Sequence, residues 1–280
     1  MIIDKNNILT GGKKPIIFDC FYTKTTQPKP IVIFCHGYKG FKDWGAWDIV
    51  AQTFAKAGFF FVKFNFSHNG GSVKQPLDFP DLEAFAQNNY SLELEDLDRI
   101  IEHFGSENKY AMEADANTIS LIGHSRGGGI VLIKAEEDSR ISKVVTLAGV
   151  SDYKSRFLEG SDTFKNWKET GRFFVENGRT KQQMPHDWQF YTDFVANENR
   201  LTISRAAKAI KKPWLIIHGD NDTTVTIEEA KALHNWNPNS RLEIIKDANH
   251  VFEASHPWSK DELPTNLKKV IKTTTSFFKE

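Results

Sequence analysis

Gly123-His124-Ser125-Arg126-Gly127 stands directly after the apolar run Thr118–Ile122 and directly before the helical run Gly128–Glu137. A serine flanked by glycines at a strand-to-helix junction calls for a sharp, strained turn in which small residues let neighbouring backbones approach. A lone G-x-S-x-G can also be a glycine-rich turn without chemistry. The strand before it and the helix after it make Ser125 a candidate nucleophile, its hydroxyl exposed at the top of a sheet.

Similar runs recur at Pro15–Tyr22, Ile31–Cys35, Phe59–Phe66, Lys143–Ala148, Trp214–His218 and Arg241–Lys246. They are mostly continuous rather than alternating, as strands buried on both faces require. Helical patterns lie between them: Trp47, Val50, Ala51 and Phe54 share one face, as do Leu94, Leu97, Ile101 and Phe104 before Gly105. Strands alternating with helices imply an α/β fold, a mostly parallel central sheet flanked by helices. The first residues, Met1 to Lys14, hold only scattered apolar side chains.

The rhythm breaks between Ser151 and about Arg205, where no buried-strand run occurs but aromatic residues are dense. Residues 1–150 and 206–280 are therefore expected to form the core, and 151–205 a cap insertion over the carboxyl edge of the sheet, where ligands bind in open α/β folds. Within it, Arg172–Glu176 and Arg179–Gln183 flank Asn177-Gly178, a pair suited to a type I′ hairpin turn. Trp167, Phe173, Phe174, Trp188 and Tyr191 are candidate walls of a substrate pocket, with packing inside the cap as the alternative for each.

A nucleophilic serine needs a base, and the base needs an orienting carboxylate. His250 follows the run Arg241–Lys246, and Asp220 and Asp222 follow Trp214–His218. Asp222 is the expected acid, although either aspartate can instead serve an Asx-turn or cap the helix starting near Thr226. For the oxyanion, the backbone N–H of Arg126 lies at a helix N-terminus, and the N–H of Tyr38, after Cys35-His36-Gly37, is the second candidate donor. His36 is expected to pack and tether its loop. The segment Phe66–Ser72 either borders the pocket or is a plain surface loop.

Cys35-His36-Gly37-Tyr38, the Gly123–Gly127 turn, His218-Gly219-x-x-Asp222-x-x-Val225 and Asn249-His250 together resemble, in order, the α/β-hydrolase superfamily. Within it, the chain looks like the cinnamoyl and feruloyl esterases and their dienelactone-hydrolase relatives. The resemblance implies ester hydrolysis through an acyl-enzyme, with Ser125, Asp222 and His250 as triad. The same triad also serves peptidases, thioesterases and acyltransferases, and Glu198 or Glu176 in the insertion offers a carboxylate for a peptide amine; a receptor on this fold is a further alternative. Arg126 departs from the uncharged residue expected there. A cation in the first turn of a helix opposes the macrodipole and invites an anion, from an acidic residue of the insertion or from the substrate.

The 36 Lys+Arg balance the 36 Asp+Glu, and no basic run forms a patch for nucleic acid or an acidic membrane. Cys20 and Cys35 lie inside apolar runs and read as reduced thiols, which favours a cytoplasmic location. No stretch has signal-peptide or membrane-spanning length. Neither a P-loop, G-x-G-x-x-G, H-E-x-x-H nor C-x-x-C is present, so no cofactor and no metal are expected, and the partner is a small-molecule ester.

Overall fold

The computed structural model describes residues 1–106 and 108–280. In chain order the strands are β1 (Ile2–Leu9), β2 (Ile16–Tyr22), β3 (Lys29–Cys35), β4 (Phe60–Asn65), β5 (Ala114–His124), β6 (Ile141–Leu147), β7 (Arg172–Glu176), β8 (Gln183–Asp187), β9 (Trp214–Gly219) and β10 (Arg241–Ile245). The helices are α1 (Trp47–Lys56), α2 (Leu82–Ala86), α3 (Tyr90–Gly105), α4 (Arg126–Glu137), α5 (Asp162–Thr170), α6 (Gln189–Ala196), α7 (Glu198–Leu201), α8 (Ile203–Ala209), α9 (Ile227–Trp236) and α10 (Thr265–Lys279).

Eight strands form one sheet in the order β1-β2-β4-β3-β5-β6-β9-β10. From β4 to β10 every pairing is parallel; β2 runs antiparallel to both β1 and β4. Successive residues of a strand point to opposite faces, so Ile31, Ile33 and Cys35 pack with α3, α4, α8 and α9, while Val32 and Phe34 pack with α1 and α10. This is the α/β architecture with a mostly parallel sheet that the apolar runs predict. Cys20 and Cys35 are buried free thiols. Among the described residues no helix is long and apolar enough to cross a membrane.

Two elements differ from expectation. The N-terminal segment is not featureless but forms β1, and a bulge between Asp4 and Asn7 puts its apolar residues out of step, which erases the period-two signal. Asn6 takes φ 57° there, and its N–H donates to Asp19 Oδ1 at 2.7 Å. The hairpin forms, but its second strand is Gln183–Asp187 rather than Arg179–Gln183. Asn177 organises a six-residue connection instead of a two-residue turn: its Oδ1 accepts from the N–H of Arg179 (3.0 Å) and Thr180 (3.3 Å), and its carbonyl from that of Lys181 (2.8 Å). The Asx side chain thereby outcompetes the type I′ turn.

The segment from β6 to α8 lies across the carboxyl ends of the central strands, held by polar ties to residues 83–91. Arg172 Nη1 and Nη2 each bond Glu83 at 2.8 Å, Asn89 Nδ2 donates to Gln189 Oε1 at 2.8 Å, and Ser91 Oγ donates to Asp193 at 2.8 Å. Helix α8 runs through residue 205 and packs against α4 and α9.

Candidate active site

Ser125 occupies the junction of β5 and α4 with φ 55° and ψ −120°, a conformation that costs a non-glycine residue about 1–3 kcal/mol and persists only where the surroundings enforce it. They do: its N–H donates to the Leu147 carbonyl at 2.9 Å, and its carbonyl accepts from Gly128 (2.9 Å) and Val150 (3.2 Å). The loop after β3 is pressed against this turn. A Cβ on Gly127 would lie 2.6 Å from the carbonyl oxygens of Cys35 and His36, and one on Gly37 would lie 2.8 Å from Ser125 Cβ. Only glycine permits that approach, which brings the Tyr38 peptide beside the serine. Among the described residues neither the Tyr38 nor the Arg126 backbone N–H has a hydrogen-bond acceptor.

His250 Nδ1 lies 2.7 Å from Asp222 Oδ2, and the other carboxylate oxygen accepts from the N–H of Thr224 (2.8 Å) and Val225 (2.9 Å). Burial alone would raise the Asp222 carboxyl, but His218, His250 and the Val225 N–H outweigh it and hold the group well below the usual carboxylate range. The ionised oxygen fixes His250 with Nδ1 as donor, leaving Nε2 free to accept a proton. Asp220 is exposed and accepts from the Asp247 N–H at 2.6 Å, so it braces a loop. Ser125 and His250 line one cleft of about 130 Å³ with Gly37 and Tyr38, without a direct hydrogen bond between them. Such bonds are often long before substrate arrives.

On its other side Ser125 opens into a cavity of about 350 Å³ walled by Tyr38, Tyr90, Phe157, Trp167, Phe173 and Phe190. Of the five wall candidates from the sequence, Trp167 and Phe173 line it and three do not. Phe174 is 55% exposed, because alternation along β7 turns Phe173 and Val175 inward and Phe174 out. Trp188 and Tyr191 do not line it but pack on each other and behind the wall residues Phe164, Trp167 and Phe157.

The guanidinium of Arg126 also reaches the cavity, and its partner is neither a residue of the insertion nor a substrate. It is the buried Glu93 of α3, whose Oε1 lies 3.4 Å from Nη1. The rings of Tyr38, Tyr90 and Phe190 surround the cation at 4.4, 5.2 and 5.3 Å. Burial disfavours the charge, but Tyr90, Glu93 and Tyr38 outweigh it and raise the Arg126 pKa. On Glu93 burial wins and raises the carboxyl, against Arg126 and Asn88.

The family model for the alpha/beta hydrolase fold matches residues 30–204, more than half of the chain. This chain belongs to the α/β-hydrolase fold family. No curated protein matches it in sequence. Among solved structures it is similar to Est1E from Butyrivibrio proteoclasticus, with 17% identity and a TM-score of 0.71 over 98% of this chain and 97% of that one. The esterase domain of a Rhodothermus marinus protein is similar at 19% identity and TM-score 0.67, covering 99% and 98%. Mouse alpha/beta hydrolase domain-containing protein 10 follows at 15% and 0.67, covering 98% of each. At these identities the likeness is one of fold.

In this α/β-hydrolase several site residues carry no sequence signal of their own. His124 sends Nε2 to the His250 carbonyl at 2.9 Å and is kept neutral by burial and the neighbouring His250, its pKa pushed down to about 3. Glu93 sits on a helix whose periodicity predicts an ordinary amphipathic face. His36 tethers as expected: Nδ1 donates to the Gly37 carbonyl at 2.9 Å and Nε2 accepts from the Phe66 N–H at 3.3 Å, in a ring that burial pushes down to about 4. The segment Phe66–Ser72 is neither pocket border nor surface loop at Ser67–Asn69. These three residues are buried, with the Ser67 N–H bonded to Asp96 at 2.7 Å and Asn69 Nδ2 to the Gly40 carbonyl at 3.2 Å.

Proposed function

We propose that the protein is a serine hydrolase that cleaves uncharged carboxylic esters with an apolar or aromatic acyl group through an acyl-enzyme. The observation that carries this is the meeting of a strained turn serine and an aspartate-held histidine on one cleft that opens into an aromatic-walled cavity. Ser125 Oγ attacks the ester carbonyl while His250 Nε2 takes its proton; the Tyr38 and Arg126 N–H groups receive the developing oxyanion. The protonated His250 then gives its proton to the leaving alcohol, and water repeats the sequence on the acyl-enzyme.

The cavity favours uncharged groups. Its one deeply buried cation is already matched by Glu93 and three aromatic rings, and among the described residues no carboxylate lines it. That second point weighs against an aminopeptidase, because Glu176 and Glu198 pair with Lys181 and Lys154 outside the cavity. Ferulic acid bound to Est1E shows that a protein of this fold accommodates an aromatic acid. The test is a panel of acetyl, butyryl, octanoyl and cinnamoyl esters with matching amides and thioesters, assayed with the intact protein and with Ser125→Ala. Ester turnover is expected to fall at least about 10³-fold in the variant, which also loses labelling by a fluorophosphonate. Turnover or labelling that survives the substitution overturns the assignment.

A further inference from the structure

His186, on β8 of the insertion, begins a chain of side-chain contacts that runs through Tyr38 to Arg126, the two residues whose N–H groups are assigned to the oxyanion. Its Nε2 lies 2.7 Å from the Tyr38 hydroxyl. The ring is buried between Phe173 (5.0 Å, 21°) and Phe190 (5.7 Å, 20°), and its carbonyl accepts the Trp167 indole N–H at 2.9 Å. Burial, with Arg126 and Lys39 nearby, pushes the imidazole down to about 3, and burial raises the Tyr38 phenol to about 12. The bond therefore joins two neutral groups and holds across the working pH range. The Arg126 guanidinium lies 4.4 Å from the Tyr38 ring centre, and from the same insertion Tyr153 donates to the Arg126 carbonyl at 2.8 Å.

The peptide that carries the Tyr38 N–H is held at its Gly37 carbonyl, which accepts from the Gly40 N–H at 3.0 Å and from His36 Nδ1 at 2.9 Å, and on its Cα side the anchor is the Tyr38 side chain. Gly37, which allows the close approach to Ser125, contributes no side chain, and Lys39 takes a left-handed φ of 53°. A side chain fixed at its tip by His186 and along its ring by Arg126 therefore completes, from the Cα side, the hold on the peptide that carries the Tyr38 N–H. We propose that His186 is a positioning residue: through the Tyr38 hydroxyl it holds the oxyanion peptide in place, so that the insertion governs turnover as well as substrate choice. The inference rests on the serine-hydrolase reading above.

The test uses p-nitrophenyl acetate, whose acetyl group is too small to fill the cavity, so that loss of wall contacts is not what is measured. His186→Phe keeps an aromatic ring without the hydrogen bond, Tyr38→Phe removes only the hydroxyl, and His186→Gln retains a polar group for it. Either Phe variant should lower kcat about 10-fold with KM within about twofold, because a displaced donor costs transition-state rather than ground-state binding. The double variant should be no worse than either single one, and His186→Gln should recover most of the loss. Stoichiometric fluorophosphonate labelling of Ser125 in each variant reports that fold and nucleophile are intact. An unchanged kcat in Tyr38→Phe, losses that add in the double variant, or a defect confined to long-chain esters would overturn the proposal. Tyr38→Phe decides the matter even if His186→Phe does not fold. Failure of the underlying reading is separately visible, as activity or labelling that persists in Ser125→Ala.

Discussion

Asp220 and Asp222 stand two positions apart in one loop, and their environments separate them. Asp222 has a fully buried side chain with both oxygens engaged, one by His250 at 2.7 Å and the other by two backbone N–H groups. Asp220 is exposed and supports only the Asp247 peptide. Asp222→Asn is therefore expected to lower kcat by about 10³–10⁴, since the amide presents the wrong partner to His250 Nδ1 and misplaces its tautomer. Asp220→Asn should leave the rate nearly unchanged, and the reverse ranking in kcat measurements would refute the choice. Because Asp222 is held below the usual carboxylate range, it stays ionised through any practical assay and remains an acceptor for His250 Nδ1. Ser125, His250 and the loop bearing Asp222 are legible in the sequence, because each follows a strand and chain order limits the choices. The sequence names Asp222 but holds no physical reason against Asp220, since an aspartate at either position suits a turn and tertiary burial is what tells them apart.

At the level of elements, alternation along β7 determines which aromatic residues can select a substrate. Phe173 faces the cavity with Trp167 beside it, their rings 4.6 Å apart, whereas Phe174 points to solvent. Phe173→Ala should flatten the rise of kcat/KM with acyl length, since each well-buried methylene is worth about 0.8 kcal/mol. Phe174→Ala should leave that profile intact. A series of p-nitrophenyl esters from acetyl to octanoyl measures both, and equal effects of the two substitutions would mean that β7 is not a cavity wall. The sequence places both phenylalanines in a strand but gives no direction to either, because that strand is short and its hairpin partner begins four residues later than the Asn177-Gly178 signal implies. Trp188 and Tyr191 mislead for a related reason. An aromatic-rich insertion must first build its own small core, and they join Phe164 in doing so.

Across the whole molecule the main sheet is legible because both of its faces are covered, yet its central strands conceal charges. Lys63, within the apolar run of β4, and Lys42 are fully buried; Lys42 bonds Asp19 at 2.8 Å and Asp43 at 2.6 Å, and Lys63 contacts Asp19, Asp43 and Asp48. A lysine inside an apolar run signals that carboxylates must meet it, but the partners come from β2 and from residues just before and within α1, so the sequence cannot name them. The three carboxylates converge closely, and the two ammonium groups already occupy their centre. Burial would raise Asp43 and Asp48, but the lysines outweigh it and lower both. Their folded pKa values thus lie below the unfolded value of about 3.9, and the stability they contribute is present above that pH and lost as pH falls below it. Lys63→Met reverses the sign. It leaves buried carboxylates short of a partner, which should cost about 3–5 kcal/mol near neutrality and raise their folded pKa values above the unfolded one. The folded variant then binds more protons than its unfolded chain, so its stability should rise as pH falls from 7 toward 4.5 while that of the parent does not. Urea midpoints of the two proteins should accordingly draw together over that interval, whereas a gap that stays constant, or widens in acid, would show that these lysines do not compensate the buried carboxylates.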